Sequence, residues 1–160
     1  MHSYYSADHK TLIDCIYITV LGLTNSFISD FEMSMCQSCE KFIKELNIPH
    51  FNMHDVEKLG IESVMEITLK IIMRFCPNCQ IHLSFDIDCL DPKYAPSTGT
   101  PVPGGLSLEE GKYICRTLGQ TGCLKSMVVV EVNTLLGSSK DAATALNSDF
   151  EIIKSALLLD

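Results

Sequence analysis

Basic residues are scarce in this chain: 12 Lys and Arg stand against 20 Asp and Glu, a formal net charge of -8. That balance disfavours nucleic acid and anionic membranes as partners, because both are polyanions. No local basic patch offsets it. Long apolar runs are also missing. The longest, Ile16 to Leu23, is interrupted by Thr19 and is too short to span a bilayer. Its flanks do not read as a secretory signal and nothing N-terminal reads as a transit peptide, so a cytoplasmic protein is the expectation. Internal repeats and low-complexity tracts are absent. What remains is an ordinary globular composition, 46% hydrophobic and 20% charged over 160 residues, sufficient for a single domain with one core.

Cysteine is plentiful, with eight residues. Without a secretory signal they are expected to be reduced thiols. Cys36/Cys39 and Cys76/Cys79 have Cys-x-x-Cys spacing, and two such pairs can make a tetrahedral zinc site. The gap between the pairs exceeds the usual zinc-ribbon spacing and neither pair has a glycine-rich turn. Coincidence in a cysteine-rich chain is therefore the favoured reading, with a zinc-stabilised binding module as the competitor.

The pattern of elements alternates. Ile16 to Leu23 is β-branched and apolar, as in a buried strand. Ser38 to Leu46 reads as a short amphipathic helix with Phe42, Ile43 and Leu46 on one side. Pro49 to Phe51 reads as a short strand, and Asp55 to Gly60 as a turn or short helix. Val64, Met65, Thr68, Leu69 and Ile72 recur at helical spacing, which predicts a helix over Ile61 to Phe75, stopped by Pro77 and Asn78. Gln80 to Asp86 reads as a strand. Leu90 to Gly105 holds four prolines and three glycines and is expected to be a structured loop. Ser107 and Glu110 have capping-box spacing ahead of a helix to about Leu118. Leu124 to Val130 reads as a strand, and Asp141 to Leu159 as a final helix. Strands alternating with helices predict an α/β fold, a three-layer αβα arrangement with a mainly parallel sheet and helices on both faces. The organisation expected is a single domain, with residues 1–39 a divergent N-terminal segment holding one strand and residues 40–160 the main body.

In such sheets ligands bind outside the carboxyl ends of the strands. Two strands here end in acids. The first ends Phe85-Asp86-Ile87-Asp88, and residues two apart on an extended backbone project to one side. Asp86 and Asp88 can thus share a space, where their repulsion favours a cation between them. Hard divalent metals suit carboxylate oxygen. The plainer alternative is a solvated turn, with Asp91 capping amides ahead of Pro92. The second strand ends Val130-Glu131-Val132-Asn133. A carboxylate there matches a planar guanidinium in a two-point pair, although spacing alone favours an exposed strand-end glutamate.

The stretch Ser84-Phe-Asp-Ile-Asp-Cys-Leu-Asp-Pro-Lys-Tyr-Ala-Pro-Ser-Thr-Gly-Thr-Pro101 closely resembles the ureohydrolase signature of arginases, agmatinases and formiminoglutamases. Gly104-Gly-Leu and Glu131-Val-Asn resemble the arginase branch, and an agmatinase usually has serine after the Glu-Val. The spacing between the two motifs matches arginases without a gap. Upstream, Phe51-Asn-Met-His-Asp-Val-Glu-Lys-Leu-Gly-Ile61 resembles the arginase segment before the metal strand. The resemblance extends from about Glu40 to Leu159 and implies the C-terminal portion of an arginase-like fold. It implies that Asp86 bridges two manganese ions, that Asp88 is held by one of them, that Thr100 lines the substrate pocket and that Glu131 pairs with the substrate guanidinium. The implied chemistry is manganese-dependent hydrolysis of L-arginine to L-ornithine and urea, by a metal-activated hydroxide. The implied assembly is a homo-oligomer, a trimer in the family.

Parts of the family pattern are missing. Its other metal ligands come from an Asp-Ala-His-x-Asp segment, absent here, and a Gly-Gly-Asp-His segment, echoed only by Ala7-Asp8-His9. The proton-shuttling histidine has no counterpart. The Asp-x-Asp pair for the substrate's amino group aligns with Met35-Cys36-Gln37, and Asp30 has no clear place. His82, mid-strand, and His54, at a helix start, read as structural. Cys89 has no base to make it a nucleophile. The ligand set is therefore incomplete, and the expectation is a catalytically incomplete arginase: a truncated gene product, an alternative product or a divergent paralogue. The alternatives are a non-catalytic arginase-like protein assembling with full-length subunits, and an agmatinase-type ureohydrolase.

Overall fold

The computed structural model describes residues 15–20, 51–75, 80–101 and 103–159. Among these, the elements follow as β1 (Cys15–Val20), α1 (Met53–Leu59), α2 (Ile61–Phe75), β2 (Gln80–Asp86), α3 (Leu108–Gln120), β3 (Leu124–Val130) and α4 (Ser139–Ala156). The expected helix at 38–46, both Cys-x-x-Cys pairs, His9, Asp30 and Met35 to Gln37 lie outside the described residues. So do residues 49 and 50 of the expected short strand, and Phe51 is not in a strand.

Reciprocal side-chain caps start three of the helices. Asn52 and Asp55 exchange bonds at 2.9 and 3.1 Å before α1. Ser107 and Glu110 do so at 2.7 and 3.2 Å before α3, as their spacing predicts. Ser138 and Asp141 do so at 2.8 and 3.2 Å before α4. Each cap satisfies amides that the first turn leaves free, a contribution of about 1 kcal/mol. The last box explains why α4 begins at Ser139 rather than at Asp141. The helix also ends early, at Ala156 rather than Leu159, and Leu158 lies in the left-handed region at φ 57°. Helices α3 and α4 approach closely at their ends: a Cβ at Gly119 would collide with the Ala156 carbonyl oxygen.

The sheet is parallel throughout, in the order β1-β2-β3. Leu83 pairs with Ile18 on one side and with Met127 on the other. The register slips once, between Ile81 and His82, so that Ile81 faces Leu124 and His82 faces Ser126. The His82 Nδ1 then meets the Ser126 hydroxyl at 2.7 Å, in line with a structural histidine.

Both crossovers step the same way across the sheet. Parallel crossovers are right-handed, so both sets of helices fall on one face. Val56, Met65, Ile114, Leu118 and Ile152 accordingly join Ile81, Leu83 and Phe85 in a single core. The opposite face carries Ser84, Asp86 and the exposed valines Val128 (42%) and Val130 (37%). The α/β class and parallel sheet match the expectation.

Candidate functional site

The strand ends bring acids together. Asp86, the last residue of β2, is the register partner of Val130, the last residue of β3, and Glu131 follows directly. The chain does not stay extended beyond Asp86. Its carboxylate accepts the Asp88 amide at 2.9 Å and caps a single 3-10 turn over Ile87–Cys89. The expectation of two aspartates on one extended strand is corrected here: the turn places Asp88, while Ile87 and Cys89 point into the core.

Electrostatics shows that these groups share a space. Burial raises the Asp86 carboxyl above the usual range, the bond from the Asp88 amide opposes the rise, and the Glu131 charge adds to it. Burial also pushes the Asp88 carboxyl up to about 6, with the charges of Asp86 and then Glu131 adding to it and the Thr100 backbone amide opposing. A divalent cation would relieve this repulsion. Two aspartates do not fit a binuclear manganese centre by themselves, and among the described residues no group of three or more His, Cys, Asp or Glu is arranged to hold a metal ion.

The loop after the turn forms the other wall. It is closed by a short bridge in which the Leu106 amide donates to the Cys89 carbonyl at 2.8 Å and the Asp91 amide to the Leu106 carbonyl at 2.9 Å. Gly105 permits this approach, since a Cβ there would sit 2.6 Å from the Cys89 carbonyl oxygen. Asp91 accepts the Lys93 and Gly104 amides at 3.1 and 3.0 Å, which hold its carboxyl below the usual range. It is a loop-closing group, as the plainer reading had it.

Ser97 and Thr98 are buried and tie this loop to the end of β3. The Thr98 hydroxyl donates to the Glu131 carbonyl at 2.8 Å and also contacts an Asp88 carboxylate oxygen. Thr98 and Val132 form an antiparallel bridge. Glu131 has φ 66°, a left-handed conformation costing a non-glycine residue about 1–2 kcal/mol. Its Oε2 lies 3.6 Å from where a Gly99 Cβ would be. Thr100 is exposed at the rim, with its amide on the Asp88 carboxylate. Asp86, Asp88, Thr100 and Glu131 thus meet around one loop. Ser97 and Thr98 went unread in the sequence. They stand inside the recognised motif, and two adjacent hydroxyls before a glycine were the available signal.

The remaining candidates lie apart from this chemistry. His54 is exposed on the first turn of α1. Cys89 is buried, and burial together with the nearby aspartates raises its thiol well above the ordinary value, so it stays protonated. That suits a structural thiol and not a nucleophile.

A parallel α/β sheet with acidic strand ends beside a hydroxyl-bearing loop defines an α/β protein with an acidic candidate site at the carboxyl ends of its strands. The arginase family model matches residues 17–155, and the chain belongs to that family. It is 45% identical over 118 residues to an arginase of Coccidioides immitis, covering 74% of this chain and 35% of that protein. It is 46% identical over 121 residues to human "Arginase-2, mitochondrial", covering 73% of this chain and 33% of that protein. The crystal structure of the Bacillus cereus arginase superposes with a TM-score of 0.65 at 34% identity, over 74% of this chain and 39% of that one. The chain therefore spans about a third of the length of these curated relatives. No helix among the described residues is long and apolar enough to cross a membrane.

Proposed function

We propose that this chain carries the carboxylate side of an arginase centre, whose reaction is the manganese-dependent hydrolysis of L-arginine to L-ornithine and urea. The observation behind this reading is the convergence of Asp86, Asp88 and Glu131 at neighbouring strand ends, where the Glu131 charge raises both aspartate carboxyls. In it, Asp86 and Asp88 are manganese ligands, Glu131 pairs with the substrate guanidinium through two hydrogen bonds, and Thr100 lines the pocket. Asn133, two residues after Glu131, favours arginine over agmatine. Two aspartates cannot fix two manganese ions, so we infer that turnover needs donors beyond the described residues. We place the protein in the cytoplasm, as a homo-oligomer or beside full-length arginase subunits, with the exposed Val128 and Val130 suiting a covered face.

The test is urea release from L-arginine by the purified 160-residue chain, with and without added manganese, beside Glu131→Ala. The expected result is no manganese-dependent urea from a folded sample. Manganese-dependent release that is lost in Glu131→Ala would overturn the incompleteness while supporting the role of Glu131. Activity unchanged in Glu131→Ala would remove the assignment of that residue.

A further inference from the structure

We propose that Thr98 is a positioning residue for the guanidinium site: its hydroxyl holds the Glu131 backbone in the left-handed conformation that sets the Glu131 carboxylate beside Gly99. The inference rests on the reading of Glu131 as the guanidinium partner.

A glutamate at φ 66° stays there only when its surroundings hold it. Residues 131–133 are each tied to 97–98. The Glu131 carbonyl accepts the Thr98 hydroxyl at 2.8 Å. Val132 bridges to Thr98. Asn133 donates its amide to the Ser97 carbonyl at 3.1 Å and accepts the Ser97 hydroxyl at 2.7 Å. Of these ties, the Thr98 hydroxyl is the side-chain bond made directly to the Glu131 carbonyl.

Thr98 is also well placed to hold a fixed direction. It is 3% exposed, so solvent does not compete for its hydroxyl. On its other side the hydroxyl meets Asp88, so one group spans the two acidic strand ends. A valine at this position keeps the shape and the burial but leaves the Glu131 carbonyl without that donor. The peptide is then free to turn toward the extended region, which carries the carboxylate away from Gly99. Serine keeps the donor.

The experiment is NMR on the isotope-labelled 160-residue chain: wild type, Thr98→Val, Thr98→Ser and Glu131→Gln. The Cα and Cβ shifts of residue 131 report whether its backbone is left-handed. Titration with guanidinium chloride and L-arginine, followed at the amides of Gly99 and residues 131–133, reports binding. Thr98→Val is expected to lose the left-handed signature and to weaken guanidinium binding about 10-fold or more, the scale of one hydrogen bond in a charged site. Thr98→Ser is expected to keep both within about 3-fold. A merely structural role would lower the melting temperature of Thr98→Val without changing residue 131 shifts or binding by the folded chain, and that result overturns the inference. If Glu131→Gln loses binding while Thr98→Val retains it, the guanidinium reading stands and Thr98 has no positioning role. If the wild type or Glu131→Gln shows no dependence on the carboxylate, the guanidinium reading falls and the inference falls with it. Should Thr98→Val not fold, Thr98→Ala carries the same expectation.

Discussion

Ser97 and Asn133 are joined twice: the Ser97 hydroxyl donates to the Asn133 carbonyl at 2.7 Å, and the Asn133 amide donates to the Ser97 carbonyl at 3.1 Å. The same hydroxyl lies 2.5 Å from the Leu136 carbonyl, so one fully buried donor serves two acceptors. These bonds fasten the loop after β2 to the segment after β3.

Ser97→Ala leaves both carbonyls without that donor. It is expected to destabilise the chain by about 1 kcal/mol or more in urea denaturation, the cost of losing the donor of part-buried hydrogen bonds. Thr144→Ala, whose hydroxyl bonds the Lys140 carbonyl one turn back in α4 and is open to solvent, should stay within about 0.5 kcal/mol of the parent. Equal effects for the two variants would mean that the Ser97 bonds do not hold the segment.

Strain at Glu131 gives a prediction of opposite sign. Glycine adopts φ 66° without the Cβ conflict, so Glu131→Gly is expected to raise stability by about 1 kcal/mol. Guanidinium binding should vanish in the same variant. A Glu131→Gly chain less stable than the parent in denaturation would show that the carboxylate, and not the backbone, dominates the stability of this position.

Asp149 on α4 predicts a pH dependence. Its Oδ1 is buried without a hydrogen-bond partner, and burial raises the carboxyl above its ordinary value of 3.8. The folded chain therefore keeps this proton to higher pH than the unfolded chain. The contribution is fully present below pH 3.8 and is lost as pH rises through the raised value. Asp149→Asn should be more stable than the parent at neutral pH, with the gap closing toward pH 4, about the ordinary carboxylate value. Thermal melts of both chains across that range check it, and a pH-independent gap would point to packing instead.

The core thiols should resist alkylation. Cys115 is fully buried with its thiol pushed up to about 12, and Cys89 is raised by burial and by the neighbouring aspartates. The thiolate is the reactive form. Iodoacetamide at pH near 8, followed by peptide mass mapping, should label Cys123 ahead of both, and should label all three only after unfolding. Native labelling of Cys115 at the unfolded rate would mean that α3 and α4 separate readily.

Much of this protein was written in local pattern. The spans Ile61–Phe75, Gln80–Asp86 and Leu124–Val130 follow from apolar periodicity, and the start of α3 from the pairing of Ser107 with Glu110. These features depend on residues within a few positions of one another, so a reading along the chain finds them. The Ser138–Asp141 box is equally local, with an aspartate in place of the usual glutamate at the third helical position. The acids Asp86, Asp88 and Glu131 stood out because they end apolar strands and lie in a recognisable motif.

Tertiary structure decided the rest. Thr98 reaches Glu131 across 33 residues and Ser97 reaches Asn133 across 36, distances that only the register of β2 against β3 closes. The turn that places Asp88 depends on the Asp86 carboxylate folding back on its own backbone instead of continuing the strand. The placement of the described helices on one face follows from strand order and crossover handedness. Periodicity along a chain determines which residues are buried and where an element starts. Which strand ends meet, and what conformation a glutamate must hold between them, is determined by the neighbours that the fold supplies.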